Sequence, residues 1–226
     1  MNIGILGTGM VGRTLSAKLA HLGHSVMIGT RDIDKTLAHT EPDSMGNPPF
    51  RVWHQQNPRI KLGTFAEAAI FGKILLNCTS GGGSLEALKM AGETNLNGKV
   101  LIDIANPLDF SKGMPPTLSV SNTDSLGEQI QHAFPQVKVV KTLNTMNANL
   151  MVNPALLSGD HDVFVSGNDP AAKAQVADFL KQQFGWKSVI DLGDITTARG
   201  VEMILPIWLN LFGVLQTPLF NFKIVR

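Results

Sequence analysis

The chain alternates short apolar runs with amphipathic stretches. The first apolar run, "NIGIL" at residues 2–6, has the length of a buried strand, and Val11, Leu15 and Leu19 then recur at helical spacing. A second apolar run, "HSVMIG" at residues 24–29, predicts another strand. A strand, a helix over about residues 10–22 and a second strand predict the crossover unit that parallel strands require.

The same alternation continues towards the end of the chain. The runs "KILLNCTS" and "KVLIDIANP" contain few polar residues, which is typical of strands buried on both faces of a parallel sheet. Further strands are predicted at "IKLGT", "VKVVKTLNT", "DVFVSGN" and "SVIDLGD". Helical spacing and capping residues predict helices over residues 65–72, 84–91, 126–134, 170–184 and 196–212.

Strands and helices therefore alternate almost throughout, which predicts the α/β class. We expect a Rossmann-type, doubly wound, mainly parallel sheet with a short C-terminal helical segment. The chain is predicted to form a single domain over residues 1–226. Its Rossmann core covers about residues 1–145, and the remaining strands and the C-terminal helix cover about residues 146–226.

Two segments depart from this pattern. Residues 39–59 contain four prolines, which predicts a loop with at most a short helix after Pro49. Residues 204–215 form the longest apolar run, but twelve residues that include Pro206 and Asn210 are too short for a membrane span. We therefore expect this run to be a core or interface helix.

Composition adds little evidence for large charged partners. The 226 residues carry 19 basic and 18 acidic side chains, a net charge of +1, so neither nucleic acid nor an anionic membrane is expected as a partner. Only 16% of residues are charged, which favours an oligomer, most simply a homodimer. The single cysteine, Cys78, excludes an internal disulfide and favours a reducing, cytoplasmic compartment. The glycine motif follows Met1 closely, so no targeting segment is expected.

The turn after the first strand carries the clearest motif. In "GILGTGMVGRTL", Gly7, Gly9 and Gly12 have the spacing G-x-G-x-x-G, between a predicted strand and a predicted helix. Gly7 permits a tight turn, Gly9 leaves room for a pyrophosphate, and Gly12 lets the helix approach the sheet. The helix N-terminus offers free N–H groups to the phosphates. This context predicts a dinucleotide site.

The end of the second strand indicates which dinucleotide. Thr30 occupies the place where an acidic residue would bind the free 2′-hydroxyl of the adenosine ribose in NAD. Thr30 instead offers a neutral hydroxyl, and Arg31 offers a guanidinium that can bind a 2′-phosphate. Lys35 adds a second positive charge, so NADP is the predicted cofactor. Asp32 either orients Arg31 or faces water.

Several blocks follow the glycine turn in a characteristic order: "GTRD", "KTLNT", "SGND" and "DLGD". With them the chain resembles the F420-dependent NADP oxidoreductase family, whose relatives include the reductase domains of STEAP-type metalloreductases. The resemblance extends from residue 2 to about residue 212. It implies hydride transfer between NADP(H) and a planar acceptor, with F420 or a flavin as a possible second redox partner. Residues 39–59 are predicted to form a longer, more proline-rich loop than the family's compact version and to reshape the acceptor pocket.

The resemblance also implies site residues for NADP. Thr8, Gly9, Met10 and Val11 would line the pyrophosphate, and Thr30, Arg31 and Lys35 would hold the 2′-phosphate. The nicotinamide ribose and ring would be bordered by the loops after the fourth and fifth strands, at Thr79, Ser80, Ala105, Asn106 and Pro107.

No catalytic acid–base set is evident, which suits hydride transfer because that chemistry needs alignment more than a proton donor. The six histidines form no metal-ligand pattern. Lys141 and Asn144 are three apart on a strand and so point to opposite faces, which argues against joint proton transfer. Asn144 is predicted to contact the nicotinamide or the acceptor, and Lys141 to be only a strand residue. Cys78 is expected to be a buried small hydrophobe.

Three alternatives stay open. The C-terminal helix, with Glu202, Met203, Pro206 and Trp208, could form the acceptor's stacking wall or could pack in the core or a dimer. The enzyme could instead reduce an imine or ketone, as pyrroline-5-carboxylate reductases do. The missing acid–base set also permits a non-catalytic, NADP-sensing domain.

Overall fold

The computed structural model describes residues 1–43 and 46–226 of the chain. Its main feature is an eight-stranded sheet with the strand order β10-β9-β8-β5-β4-β1-β2-β3, and β6 and β7 form a separate hairpin. The strands are β1 (Asn2–Leu6), β2 (Ser25–Thr30), β3 (Lys61–Thr64), β4 (Ile74–Asn77), β5 (Val100–Asp103), β6 (Leu108–Asp109), β7 (Thr117–Leu118), β8 (Lys138–Thr142), β9 (Asp162–Ser166) and β10 (Ser188–Gly193).

Helices cover both faces of this sheet. They are α1 (Met10–His21), α2 (Ile33–Ala38), α3 (Phe50–Gln56), α4 (Phe65–Phe71), α5 (Gly81–Ala91), α6 (Glu93–Leu96), α7 (Leu126–Ala133), α8 (Ala148–Val152), α9 (Pro170–Phe179), α10 (Ala198–Met203) and α11 (Leu205–Leu215). Single 3-10 turns lie at Pro154–Leu156 and Ile195–Thr197, and α9 continues into a π-helical turn at Leu180–Phe184.

The sheet reverses its winding direction at β1. From β1 the chain passes to β2 and β3 on one side, and then returns to place β4 on the other side of β1. All neighbouring strands are parallel except β8 and β9. In such sheets, ligands bind at the carboxyl ends of the strands beside the point of reversal, which here lies between β1 and β4.

The strand side chains alternate between two hydrophobic cores. Ile74 and Leu76 of β4 point into one core, and Leu75 points into the other. Val100 and Ile102 of β5 join the first core, while Leu101 joins the second. Every residue of β4 and β5 is buried, which confirms the prediction of strands covered on both faces.

The strands and longer helices predicted from the sequence are all present. The Thr64–Glu67 capping box of α4 is formed, and α3 begins directly after Pro49. Within residues 39–59, residues 44–45 lie outside the described part of the chain. The β6–β7 hairpin and the helices α2, α6 and α8 were not predicted, because two paired residues per strand and helices of four to six residues are too short for a periodicity.

The predicted final helix is divided in two. A single helix over residues 196–212 was expected, whereas α10 ends at Met203 and α11 begins at Leu205, next to Pro206. Proline has no N–H to donate to the preceding turn, so it favours the start of a new helix. By length and composition alone, the helical stretch Ile195–Leu215 is long and apolar enough to cross a membrane. One helix of this kind is weak evidence for a membrane span, and 22% of its 18-residue apolar window is buried.

Candidate functional site

The glycine turn between β1 and α1 combines two crowded positions with one open position. Gly7 has φ +115°, and a Cβ there would lie 2.6 Å from the carbonyl oxygen of Cys78. A Cβ at Gly12 would lie 2.1 Å from the carbonyl oxygen of Gly7. A Cβ at Gly9 would meet nothing within 4 Å. Gly7 and Gly12 are therefore required by packing, whereas Gly9 leaves open space at the start of α1.

Two helices at this edge of the sheet begin without a side-chain cap. α1 starts after Gly9 and α5 starts after Ser80, and in neither helix does a side chain accept from the first N–H groups. By contrast, Thr64 caps α4 and Ser125 caps α7. Uncapped N–H groups at a helix N-terminus carry a partial positive charge, so both helices can bind phosphate oxygens or another anion.

A groove runs across the carboxyl ends of β1, β2, β4 and β5. It consists of one cavity of about 220 Å³ and a second of about 190 Å³, and Cys78, Thr79 and Ser80 line both. The first is also lined by Gly7, Thr8, Gly9, Thr30, Arg31, Phe65, Gly83 and Ala87. The second is also lined by Val11, Gly81, Ile104, Ala105, Asn106, Leu108 and Phe110.

The structure therefore brings most of the predicted site residues to one groove. Of the others, Met10 packs against the first core and Gly12 is buried behind the turn. Pro107 follows Asn106 and accepts hydrogen bonds from the backbone N–H and the hydroxyl of Ser119, which holds the β6–β7 hairpin beside the groove. Lys35 lies on α2 with 87% of its side chain exposed.

No residue of the 39–59 segment lines either cavity, so its predicted effect on the pocket receives no support from the described residues.

The end of β2 places Arg31 on the rim of the first cavity. Thr30 is buried, and its hydroxyl lies 2.7 Å from that of Thr36, which donates to the Asp32 carbonyl. Asp32 caps α2 by accepting from the N–H of Lys35, and its carboxylate lies 3.6 Å from the Lys35 ammonium. The backbone hydrogen bond from Lys35 is the main reason why the pKa of Asp32 lies below its ordinary value. The carboxylate of Asp32 therefore interacts with α2, as its N-cap and as the partner of the Lys35 ammonium.

Two asparagines fix the far end of the second cavity. The side-chain amide of Asn144 donates to the Asn106 side-chain oxygen at 2.9 Å and to the Val201 carbonyl at 3.0 Å. The Asn106 side-chain amide donates in return to the Asn144 carbonyl at 2.8 Å. Asn144 thus joins the loop after β5 to α10, and it contacts the groove through Asn106.

Behind this end of the groove lies a buried ionic cluster. Lys141 of β8 is 0% exposed, and its ammonium lies 2.9 Å from the carboxylate of Asp103 and 2.8 Å from that of Glu202. It also donates to the Ala105 carbonyl. Burial alone would lower the pKa of Lys141, but the two carboxylates outweigh burial and raise it above its ordinary value.

The prediction that Lys141 is only a strand residue therefore missed its main feature. A lysine inside the apolar run "VKVVKTL" indicated a buried ammonium, which needs a carboxylate partner. The partners lie on β5 and α10, so the sequence alone could not identify them. Glu202 faces this cluster and does not contribute to a stacking wall, and neither Met203 nor Trp208 lines the groove.

A chain of polar side chains links the cluster to the groove. The Asn77 side-chain amide donates to Asp103 at 2.8 Å and to the Ser84 hydroxyl at 3.1 Å. The Thr79 hydroxyl donates to the Asn77 side-chain oxygen at 2.7 Å. Thr79 lines both cavities, so its orientation is set by buried groups behind it.

The groove offers few groups for proton transfer. Cys78 is buried, as predicted, and burial, followed by the charge of Asp103, raises the pKa of its thiol. Within the described part of the chain, no histidine lines either cavity. The arrangement is therefore suited to binding and orienting a ligand rather than to acid–base catalysis.

Comparison with known proteins agrees with this geometry. The family model described as "NADP oxidoreductase coenzyme F420-dependent" matches residues 2–107. A solved structure from Arthrobacter sp. FB24, which carries the provisional name F420-dependent NADP reductase, is 60% identical over 100% of both chains with a TM-score of 0.95. The chain belongs to the F420-dependent NADP oxidoreductase family. It is an NADP-dependent oxidoreductase.

Two curated relatives of this family member are more distant. The F420-dependent NADP reductase of Methanocaldococcus jannaschii is 29% identical over 218 residues, which cover 93% of this chain and 92% of that protein. Metalloreductase STEAP3 of Rattus norvegicus is 28% identical over 91% of this chain, but the chain spans only 37% of the length of STEAP3.

The groove of this family member fits an NADP cofactor on its own geometry. The open space at Gly9 adjoins the uncapped start of α1, where a pyrophosphate needs both room and N–H donors. Arg31 provides a cation on the rim of the same cavity. The second cavity shares Cys78, Thr79 and Ser80 with the first, so the two cavities adjoin.

Proposed function

We propose that the protein transfers a hydride between NADPH and a planar deazaflavin or flavin-like acceptor. The observation that carries the proposal is the pair of adjoining cavities: the first offers phosphate-binding groups, and no Asp, Glu, His or Lys among the described residues lines the second. Membership of the F420-dependent family supports a deazaflavin as the acceptor. The names of the Methanocaldococcus and Arthrobacter relatives support the same acceptor.

Within this proposal, each predicted site residue has a role in binding or orientation. The N–H groups of Met10 and Val11, with Thr8 beside them, bind the pyrophosphate, and Gly7, Gly9 and Gly12 make that approach possible. Arg31 and Lys35 bind the 2′-phosphate, whereas Thr30, whose hydroxyl proton is donated to Thr36, only lines the same cavity. The nicotinamide ribose and ring would lie against Thr79, Ser80, Ala105 and Asn106 of the second cavity, with Pro107 next to Asn106 in the chain and Asn144 behind it.

The chain's chemical contribution is to align the two reactants and to exclude water. NADPH, when bound, supplies the hydride. Asn106 is held in place by Asn144, and the apolar residues Val11, Ile104 and Leu108 line the same cavity, so one face of the nicotinamide ring would be kept dry. Alignment of this kind supplies much of the rate of a hydride transfer.

An acceptor screen tests the proposal. Purified protein is mixed with NADPH and with F420, FMN, FAD or riboflavin in turn, and loss of dihydronicotinamide absorbance is recorded together with binding of NADPH. We expect turnover with F420, and slower turnover or none with the flavins. Tight binding of NADPH without turnover on any acceptor would favour the NADP-sensing alternative. Turnover of a cyclic imine instead would favour the imine reductase alternative.

A cytoplasmic homodimer without nucleic-acid or membrane partners is part of the same proposal. Several apolar side chains on α11 are exposed, among them Ile207 at 52% and Val214 at 80%. A second copy of the chain would cover them.

A further inference from the structure

The buried cluster behind the second cavity has a definite protonation state at Lys141. The Lys141 nitrogen has three partners, and all three are acceptors: Asp103 Oδ2 at 2.9 Å, Glu202 Oε1 at 2.8 Å and the Ala105 carbonyl. An ammonium group has three N–H bonds, so it satisfies all three acceptors, whereas a neutral amine has only two. Lys141 is therefore positively charged.

Both carboxyl groups of the cluster are ionised. Asp103 Oδ1 accepts from the Asn77 side-chain amide at 2.8 Å and from the Ala105 N–H at 3.3 Å. The Glu202 oxygens accept from the N–H groups of Leu126 at 2.8 Å and Gly127 at 3.0 Å. A protonated carboxyl needs an acceptor for its O–H, and these partners are all donors. Two carboxylates and one ammonium leave the cluster with a net charge of −1.

This charge lies directly behind the second cavity. Ala105, which lines that cavity, donates its N–H to Asp103 and accepts at its carbonyl from Lys141. Cys78 also lines the cavity, and the charge of Asp103 contributes, after burial, to the raised pKa of its thiol. Because Asp103, Lys141 and Glu202 are almost fully buried, water screens their field only weakly.

We infer that the Asp103–Lys141–Glu202 cluster makes the second cavity bind the cationic, oxidised nicotinamide ring in preference to the neutral, reduced ring. The inference rests on the proposed function and deepens it, since it assigns the favoured direction of transfer. The cluster faces a neutral ring before NADPH donates and a ring of charge +1 afterwards. The hydride ion takes both electrons of the C–H bond that breaks and forms a new C–H bond on the deazaflavin acceptor, and a proton from solvent adds to a ring nitrogen of the acceptor. The cluster therefore shifts the equilibrium between bound reactants and bound products toward hydride donation from NADPH.

The size of the effect follows from Coulomb's law. Two unit charges about 10 Å apart, at an effective dielectric constant of about 20, interact strongly enough to change a ratio of binding constants about tenfold. The partial positive charge at the N-terminus of α7, which Glu202 contacts, reduces the field of the cluster without cancelling it.

The test compares the dissociation constants of NADP⁺ and NADPH, measured by calorimetry without any acceptor. Glu202→Gln removes one negative charge and preserves the shape of the side chain. We expect the ratio of the NADP⁺ constant to the NADPH constant to rise about tenfold in this variant, and to rise likewise in Asp103→Asn. Glu86→Gln, at an exposed position on α5, is the matched control and should leave the ratio unchanged.

The results of this test distinguish failure of the inference from failure of the proposed function. An unchanged ratio in a folded Glu202→Gln or Asp103→Asn protein overturns the inference, because a purely structural role would weaken both nucleotides equally. If neither variant folds, the wild-type ratio decides: binding of NADP⁺ at least as tight as that of NADPH supports the inference, and tighter binding of NADPH overturns it. Failure of the wild type to bind either nucleotide would instead contradict the proposed function.

Discussion

At the scale of single residues, two glycines of the turn between β1 and α1 differ in their role: packing requires Gly12, whereas Gly9 leaves room for a ligand. A methyl group at Gly12 would meet backbone at 2.1 Å, whereas one at Gly9 would meet nothing within 4 Å. We expect Gly12→Ala to lower the free energy of unfolding by about 1–3 kcal/mol or more, because the core there cannot absorb the added atom. Gly9→Ala should leave stability nearly unchanged and weaken NADPH binding. Thermal unfolding and NADPH titration of both variants check this pair, and loss of stability in Gly9→Ala would contradict the assignment.

At the same scale, Arg31 is the residue proposed to select NADPH over NADH. If its guanidinium binds the 2′-phosphate, Arg31→Ala should raise the dissociation constant of NADPH about 10- to 100-fold, the usual value of a charge-assisted hydrogen bond. The constant for NADH should change little, because NADH has no phosphate at that position. Arg51→Ala, at an exposed position on α3, is the control. Equal weakening of both nucleotides would show that Arg31 acts on something other than the phosphate.

At the scale of elements, β8 carries two lysines with different surroundings. Lys141 is buried between two carboxylates, whereas Lys138 is 42% exposed and pairs with Asp169. We expect Lys141→Met to lower the free energy of unfolding by about 3–5 kcal/mol, because it leaves Asp103 and Glu202 buried without a counter-charge. Lys138→Met should have little effect, since solvent screens an exposed pair. Denaturant unfolding of the two variants measures the difference.

The ion pairs of Lys141 with Asp103 and Glu202 give the stability of the protein a pH dependence of fixed sign. The pKa of Lys141 is raised above its ordinary value of 10.5 in the folded protein. Its stabilising contribution is therefore fully present below that value and is lost only as the pH rises through the folded pKa. The lysine should accordingly add no pH dependence to the stability gap between wild type and Lys141→Met across the neutral range. A gap that closes between about pH 7 and pH 9 would show that Lys141 loses its proton there.

The strands and the glycine turn show which parts of the fold could be predicted from the sequence. Long apolar runs such as "KILLNCTS" specify buried strands because burial on both faces removes any alternation, and the glycine spacing specifies the turn. The antiparallel pairing of β8 with β9 could not be predicted, because register depends on partners far away in the chain. The Asp103–Lys141–Glu202 cluster joins β5, β8 and α10, which are far apart in the chain. Of its three residues, only Lys141 could be recognised from the sequence, as a lysine within an apolar run.

At the scale of the whole molecule, the surface of α11 tests the proposed homodimer. Val214 is 80% exposed, and the following segment returns to the sheet, where the Asp162 N–H donates to the Phe222 carbonyl at 3.0 Å. Val214→Asp should convert the dimer to a monomer, because burying an unpaired carboxylate is costly. Ile70→Asp, at a position 64% exposed on α4, should leave the dimer intact. Analytical ultracentrifugation distinguishes the two, and a wild-type protein that sediments as a monomer would contradict the proposal.

Cys78 has a practical consequence for experiments on this enzyme. It is the only cysteine in the chain, it is buried between the two cavities, and its thiol has a raised pKa. A thiol with these properties reacts slowly with alkylating dyes and spin labels. The native protein is thus nearly a cysteine-free background, so a cysteine introduced on α11 or on the β6–β7 hairpin can be labelled selectively. With one label on α11 and one on β7 (Thr117–Leu118), the distance between them would report movements near the groove, and neither label would replace a residue that lines it.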